Sequence, residues 1–212
     1  MSIRKLFFYL SAILLGGCVP VMSLHSLYTK EDVVFDEKLL GTWVDDPNNP
    51  ETTWEFMRID EPNNAYKLIF SDKDDQKGSF IACLVKLKER FFLDVYPSDP
   101  PWEPEDPNKL KWPFNTLFLV PVHTFIRIDS LEPQLKMRLT LEDEMEKLLK
   151  EDPNAVQHTL VEDRLVLTAS TKELQAFVLK YADDKRLFAD ETVLERKETK
   201  KSNASTAIEP QQ

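Results

Sequence analysis

TTWEFMRIDEPNNAYKLIFSDKDDQKGSFIACLVKLKERFFLDVY, residues 52–96, decides the fold. Within it Tyr66, Leu68 and Phe70 fall on alternate positions, the two-residue period of a strand with one buried face. Glu61-Pro62-Asn63-Asn64 and the charged run Asp72 to Gly78 read as turns. Strands are therefore expected over 52–59, 65–70, 79–88 and 90–96, joined as an antiparallel meander.

Working outward, Trp43 opens a segment that Asp45-Asp46-Pro47-Asn48-Asn49-Pro50 stops. Before it, Asp36 can cap a helical turn over Glu37 to Leu40, which Gly41 can end. After residue 96 the pattern breaks. Pro97 to Pro113 holds six prolines with Trp102 and Trp112 in seventeen residues, a long loop of the kind that serves as a lid or a partner surface. The meander resumes over 115–128, with Pro121 forcing a bulge or an edge. Residues 134–141 alternate cleanly, with Leu135, Met137, Leu139 and Leu141 on one face.

Glu142 to Glu151 is expected as an inserted helix, with Met145, Leu148 and Leu149 on one stripe and Pro153 beyond it. A last strand pair over 156–161 and 164–169 turns at Glu162-Asp163. Ser170-Thr171-Lys172-Glu173 is a capping-box pattern, and Leu174, Phe177, Val178 and Tyr181 mark one face of a C-terminal helix. Beyond about residue 190 the chain is charged and then polar, so 190–212 is expected to be disordered. The fold class is mainly β, an antiparallel meander barrel with an inserted and a C-terminal helix.

The composition narrows the function. With 212 residues, 42% hydrophobic and 30% charged, one domain can bury a core without metals or disulfides. A net charge of -10 repels phosphate backbones and argues against nucleic acid as a partner. Four glycines against fourteen prolines leave almost nothing for Gly-rich phosphate loops.

The N-terminus carries an address. Arg4 and Lys5 precede a ten-residue run, Leu6 to Leu15, broken only by Ser11, the pattern of a secretory signal and too short to span a bilayer. Leu15-Gly16-Gly17-Cys18 follows and resembles the bacterial lipobox. The resemblance implies cleavage before Cys18, with acyl chains added to its sulfur and its amine. Several chains together anchor a domain durably. Residues 1–17 are then a signal peptide, 18–35 a lipidated tether, and 36–189 the barrel domain. Val19 stands where an Asp resembles an inner-membrane retention signal. The expected location is therefore the cell envelope, at the outer membrane facing the periplasm if the source is Gram-negative.

Gly41-Thr42-Trp43 after a short helical turn resembles the opening of the lipocalin-like (calycin) barrel, whose eight strands form a meander followed by a helix. The resemblance covers roughly residues 36–181. It implies that Trp43 closes one barrel end under an arginine of the last strand, a role carried onto Arg164, with Arg127 as the alternative. The inserted helix and the proline-rich loop depart from that family and leave open, half-barrel and sandwich variants as alternatives. The whole also resembles small bacterial envelope lipoproteins, which implies no activity.

Catalytic chemistry has little to work with. His25, His123 and His158 are far apart, so no metal motif forms. His123 can reach Asp94 across the sheet, a base with an orienting carboxylate. No Gly-x-Ser-x-Gly or similar motif accompanies it. An envelope hydrolase is therefore the least favoured reading. Cys83 in Phe80 to Val85 reads as a buried thiol. Asp72 to Gly78 fails as a calcium loop, with Lys77 at the glycine position and Cys83 where a bidentate Glu belongs. No cofactor and no metal is expected.

Aromatics are richer. Trp43, Trp54, Phe56, Tyr66, Phe70 and Phe80 alternate along the early strands. They either fill the barrel or line a cavity, with Trp54, Tyr66 and Phe70 as the candidate lining. The expected function is a non-catalytic binding module for a hydrophobic small molecule or an envelope partner. The alternative is a structural lipoprotein with a filled barrel that docks a protein through the 97–113 loop, using Trp102 and Trp112.

Overall fold

A computed structural model describes residues 19–59, 64–74, 76–98 and 119–197. Its strands are β1 (Met22–Ser23), β2 (Val33–Val34), β3 (Gly41–Val44), β4 (Thr52–Arg58), β5 (Ala65–Asp72), β6 (Lys77–Leu87), β7 (Arg90–Pro97), β8 (Thr124–Ser130) and β9 (Leu135–Leu139). Helix α1 (Glu142–Glu151), strands β10 (His158–Val161) and β11 (Arg164–Leu167), helix α2 (Thr171–Lys180) and β12 (Thr192–Arg196) follow.

Strands β3 to β9 pair in sequence, and β12 joins β9 to β3. These eight antiparallel strands close into a barrel. The register sets like faces together: Trp54 opposes Phe70, Phe56 opposes Leu68, and Arg58 opposes Tyr66. Asp72 accepts the amides of Asp74 and Gln76 with one carboxylate oxygen, at 2.9 Å each. That hydrogen bonding makes the charged run a hairpin turn.

The barrel wall is apolar on both faces along much of its length. Trp43, Phe56, Tyr66, Leu68, Leu84, Leu93, Leu135 and Met137 form the interior cluster. On the outside, Cys83, Val85, Phe92 and Phe125 pack under Val21 and Leu27, and under Met145 and Leu148 of α1 and Leu174 and Phe177 of α2. This is why Ala82 to Val85 and Phe92 to Val95 are buried without a break. A strand covered on one face alternates, and one covered on both does not. Each large apolar side chain so buried contributes about 1.5–3 kcal/mol.

Both helices form where the periodicity predicts. The Ser170 amide and hydroxyl donate to Glu173 at 2.9 and 2.6 Å, which fixes the start of α2.

Three parts of the sequence reading are corrected. Residues 192–196 form a barrel strand instead of belonging to a disordered tail, with Thr192 opposite Met137 and Arg196 opposite Trp43. The β10–β11 hairpin lies outside the barrel in a separate sheet of order β1-β11-β10. Residues 19–35 are no free tether. Val19 and Val21 bond to Glu142 and Thr140, β2 pairs with β6, and Leu27 is fully buried.

The closed end is built around Trp43. Its indole Nε1 donates to the Leu39 carbonyl at 2.9 Å, in a 3-10 turn over Glu37–Leu39 that Asp36 caps. The Arg196 guanidinium lies 4.2 Å from the indole ring centre and donates to the carbonyls of Leu40 and Lys38 at 2.5 and 2.6 Å. Arg196, not Arg164, is thus the arginine over Trp43. Arg164 instead pairs with Glu142 at 2.9 Å, and Arg127 with Asp129 and Asp183. Gly41 has φ +112, and a Cβ there would meet Arg196 Nη1 at 2.7 Å. The backbone conformation is what requires glycine here, and a Cβ would in addition press on the guanidinium end of Arg196.

Candidate functional site

Tyr66, Trp54 and Phe70 do not line one cavity. Tyr66 is fully buried near the closed end. Its hydroxyl accepts from the Asp36 amide at 2.7 Å and donates to the Asp36 carbonyl at 3.0 Å, and its ring stacks on Phe35 at 4.7 Å. Burial pushes this phenol up to about 12. Trp54 and Phe70 sit together four residues farther along their strands, half-buried, with Trp54 opposite Trp43 and the two ring centres 5.0 Å apart. Beside them the Phe80 ring covers Gly78, leaving no room for a Cβ. Between these two levels, Phe56, Leu68, Ala82, Leu84 and Leu93 show 1% exposure or less. The lumen at that level is filled by side chains.

Open space lies on the outer face. A cleft of about 750 Å³ is bounded by Tyr28, Val33, Ile59, Ala65, Ile81, Cys83 and Tyr96, with Lys30 and Asn64 among its polar residues. This is within the usual size of a small-molecule site, and the mix of apolar walls with few polar groups is also usual. The outward alternation of β6 and β7 supplies Ile81, Cys83 and Tyr96, and the N-terminal segment supplies Tyr28 and Val33. Pro97 and Ser98, at the start of the proline-rich loop, and Pro121, just before β8, also line the cleft. Trp102 and Trp112, and Cys18, lie outside the described residues.

No family model, curated protein or solved structure matches this chain.

Behind the cleft, Asp94 is fully buried. One of its oxygens accepts from His123 Nδ1 at 2.6 Å, and the other from the Leu27 amide at 2.6 Å. The Asp94–His123 contact anticipated from the sequence therefore forms. It also clasps the N-terminal segment to the barrel, because the His123 and Ser23 backbones exchange two hydrogen bonds of 2.8 Å. The Tyr96 ring lies 5.0 Å from the imidazole.

A buried carboxylate holding an imidazole suits a general base, but a nucleophile is a separate requirement. The nearby thiol, Cys83, is 4% exposed. Burial, with Asp94 adding to it, pushes the thiol up to about 11. That is the opposite of an activated thiolate. Burial likewise raises the Tyr28 phenol well above its ordinary range, with Cys83 as its neighbour. Among the described residues, no group of three or more His, Cys, Asp or Glu is placed to hold a metal ion.

The sequence reading missed Tyr28 and Tyr96 as site residues. Tyr96 follows Asp94 at the outward two-residue spacing, a signal that was available. Tyr28 gave none, because its segment has no regular period.

Proposed function

We propose that this protein is a membrane-anchored, non-catalytic binding protein that holds a hydrophobic small molecule on the outside of a lipocalin-like barrel. The observation that carries the reading is the position of open space. The lumen is packed from Phe56 to Leu93, while the cleft between Tyr28, Ile81 and Tyr96 has room for a ligand. The lipocalin likeness is supported by Arg196 of the last strand stacking on Trp43 and bonding to the helical turn. Lys30 and Asn64 suit a ligand with an apolar body and a polar or anionic head. The lipobox resemblance supports a lipid anchor on Cys18 and an envelope location.

A second reading makes the barrel a scaffold that docks an envelope protein through residues 97–113. The packed lumen favours it too, since a filled barrel needs no ligand of its own. Native mass spectrometry of the protein released from its membrane separates the two. A co-purifying small apolar molecule supports the first reading and a bound protein the second. The anchor is tested by Cys18→Ser. The expected result is an unprocessed precursor that no longer fractionates as a mature membrane lipoprotein.

A further inference from the structure

We propose that the β10–β11 hairpin is a membrane contact, set into the headgroup region of the bilayer beside the acylated N-terminus. This rests on the anchor reading of Cys18. With that anchor, almost no tether separates the lipid from the domain. The Glu142 amide donates to the Val19 carbonyl at 2.9 Å, Val21 donates to Thr140 at 3.1 Å, and Pro20 bridges Leu141. One peptide unit, about 3.8 Å between Cα atoms, joins Val19 to Cys18. Acyl chains on Cys18 therefore enter the bilayer directly beside the body.

The register identifies which part of the body lies there. Strand β1 runs parallel to β11, with Met22 opposite Val166 and Ser23 opposite Leu167. Continued two and three residues back, it sets Pro20 level with Arg164 and Val19 level with the Glu162–Asp163 turn. Glu142 ties the same points together, because its amide binds Val19 while its carboxylate binds Arg164 Nε at 2.9 Å and the Leu165 amide. Strand β10 lies two strand spacings from β1, about 10 Å.

That strand carries an adjacent apolar pair that the body leaves uncovered. Leu160 is 62% exposed and Val161 54%, although neighbours in a strand point to opposite faces. Both faces of the hairpin tip therefore stand clear of the domain. In β11, by contrast, Leu165, Val166 and Leu167 are buried. Apolar side chains projecting beside a lipid anchor gain by entering the boundary between headgroups and acyl chains. The Glu162 and Asp163 carboxylates at the turn suit the ammonium groups of zwitterionic lipids. A second contact of this kind fixes the orientation of the barrel on the membrane, which a single flexible anchor does not.

The test uses the lipidated full chain carrying Leu160→Cys. Cys18 is blocked by lipid and Cys83 is buried, so an environment-sensitive fluorophore labels position 160. The labelled protein is reconstituted into vesicles of phosphatidylethanolamine and phosphatidylcholine. The control is Glu89→Cys, in the β6–β7 turn at the barrel end away from Thr124. The expected result is severalfold stronger quenching by doxyl-labelled lipid at 160 than at 89, with the reverse order for aqueous iodide. A label at 160 that iodide reaches freely while the protein floats with the vesicles overturns the hairpin contact and leaves the anchor standing. A label shielded from both quenchers places a protein surface there and also overturns it. A protein that does not float overturns the anchor reading, and the hairpin contact falls with it.

Discussion

The inner and outer faces of the barrel wall are both apolar, yet they are covered differently. The inner face is sealed by the strands themselves, around Trp43, Phe56 and Tyr66. The outer face is covered by separate pieces of chain, the N-terminal segment and the two helices. Cover assembled from separate pieces leaves a gap where they fail to meet, and the cleft at Tyr28 and Tyr96 is that gap. In this barrel the open space comes from incomplete cover, not from a hollow centre.

Breaking the inner face should cost most. Trp43→Ala removes the largest fully buried side chain among the described residues and the surface under Arg196. A loss of about 3–5 kcal/mol is expected, read as a drop in the denaturant midpoint. Asp94→Ala attacks the outer face instead. It leaves the Leu27 amide and His123 Nδ1 without their acceptor, a cost of about 1–3 kcal/mol. Amide exchange should accelerate at Ser23 and Leu27 while Leu84 in the wall stays protected. Equal acceleration at all three would mean that the two faces unfold together and the contrast fails.

Gly41→Ala sharpens the contrast at the closed end. The φ of +112 and the guanidinium contact predict a loss of about 1–3 kcal/mol, without any change in the exchange at Ser23. A further effect is alkaline. Cys83 and Tyr66 hold their protons more tightly in the fold, at about 11 and about 12, than at their ordinary values of 9.0 and 10.0. Their contribution is complete below about pH 9 and is lost as pH rises through those folded values. Denaturation midpoints across that window should fall, and Cys83 should resist alkylation near neutral pH until the protein unfolds.

Much of the fold was legible in the sequence because local signals and tertiary structure agree. Strict alternation at 65–70 and 134–141, and the capping box at Ser170, gave the elements directly. Strand β12 was not legible. Only Leu194 in it is buried, and Glu191, Glu195 and Arg196 around it are charged, so it is a strand because β3 and β9 leave a gap between them. The misassignment of Arg164 followed from that, since the last strand was taken to be β11. The site was less legible than the fold. Tyr66 has the same period as Phe70, and periodicity tells which face a residue occupies but not which level of the barrel. The cleft joins residues from Tyr28 to Pro121, a juxtaposition that exists only once the barrel has closed.

The most direct test is a titration with a dansylated fatty acid of the wild-type protein, Ile81→Trp and Trp54→Ala. Ile81→Trp fills the outer cleft, and Trp54→Ala alters only the lumen side. Binding should weaken at least about tenfold in Ile81→Trp, or roughly 1.4 kcal/mol, and stay near the wild-type value in Trp54→Ala. Unchanged binding in Ile81→Trp together with loss in Trp54→Ala would place the ligand inside the barrel and contradict an outer site.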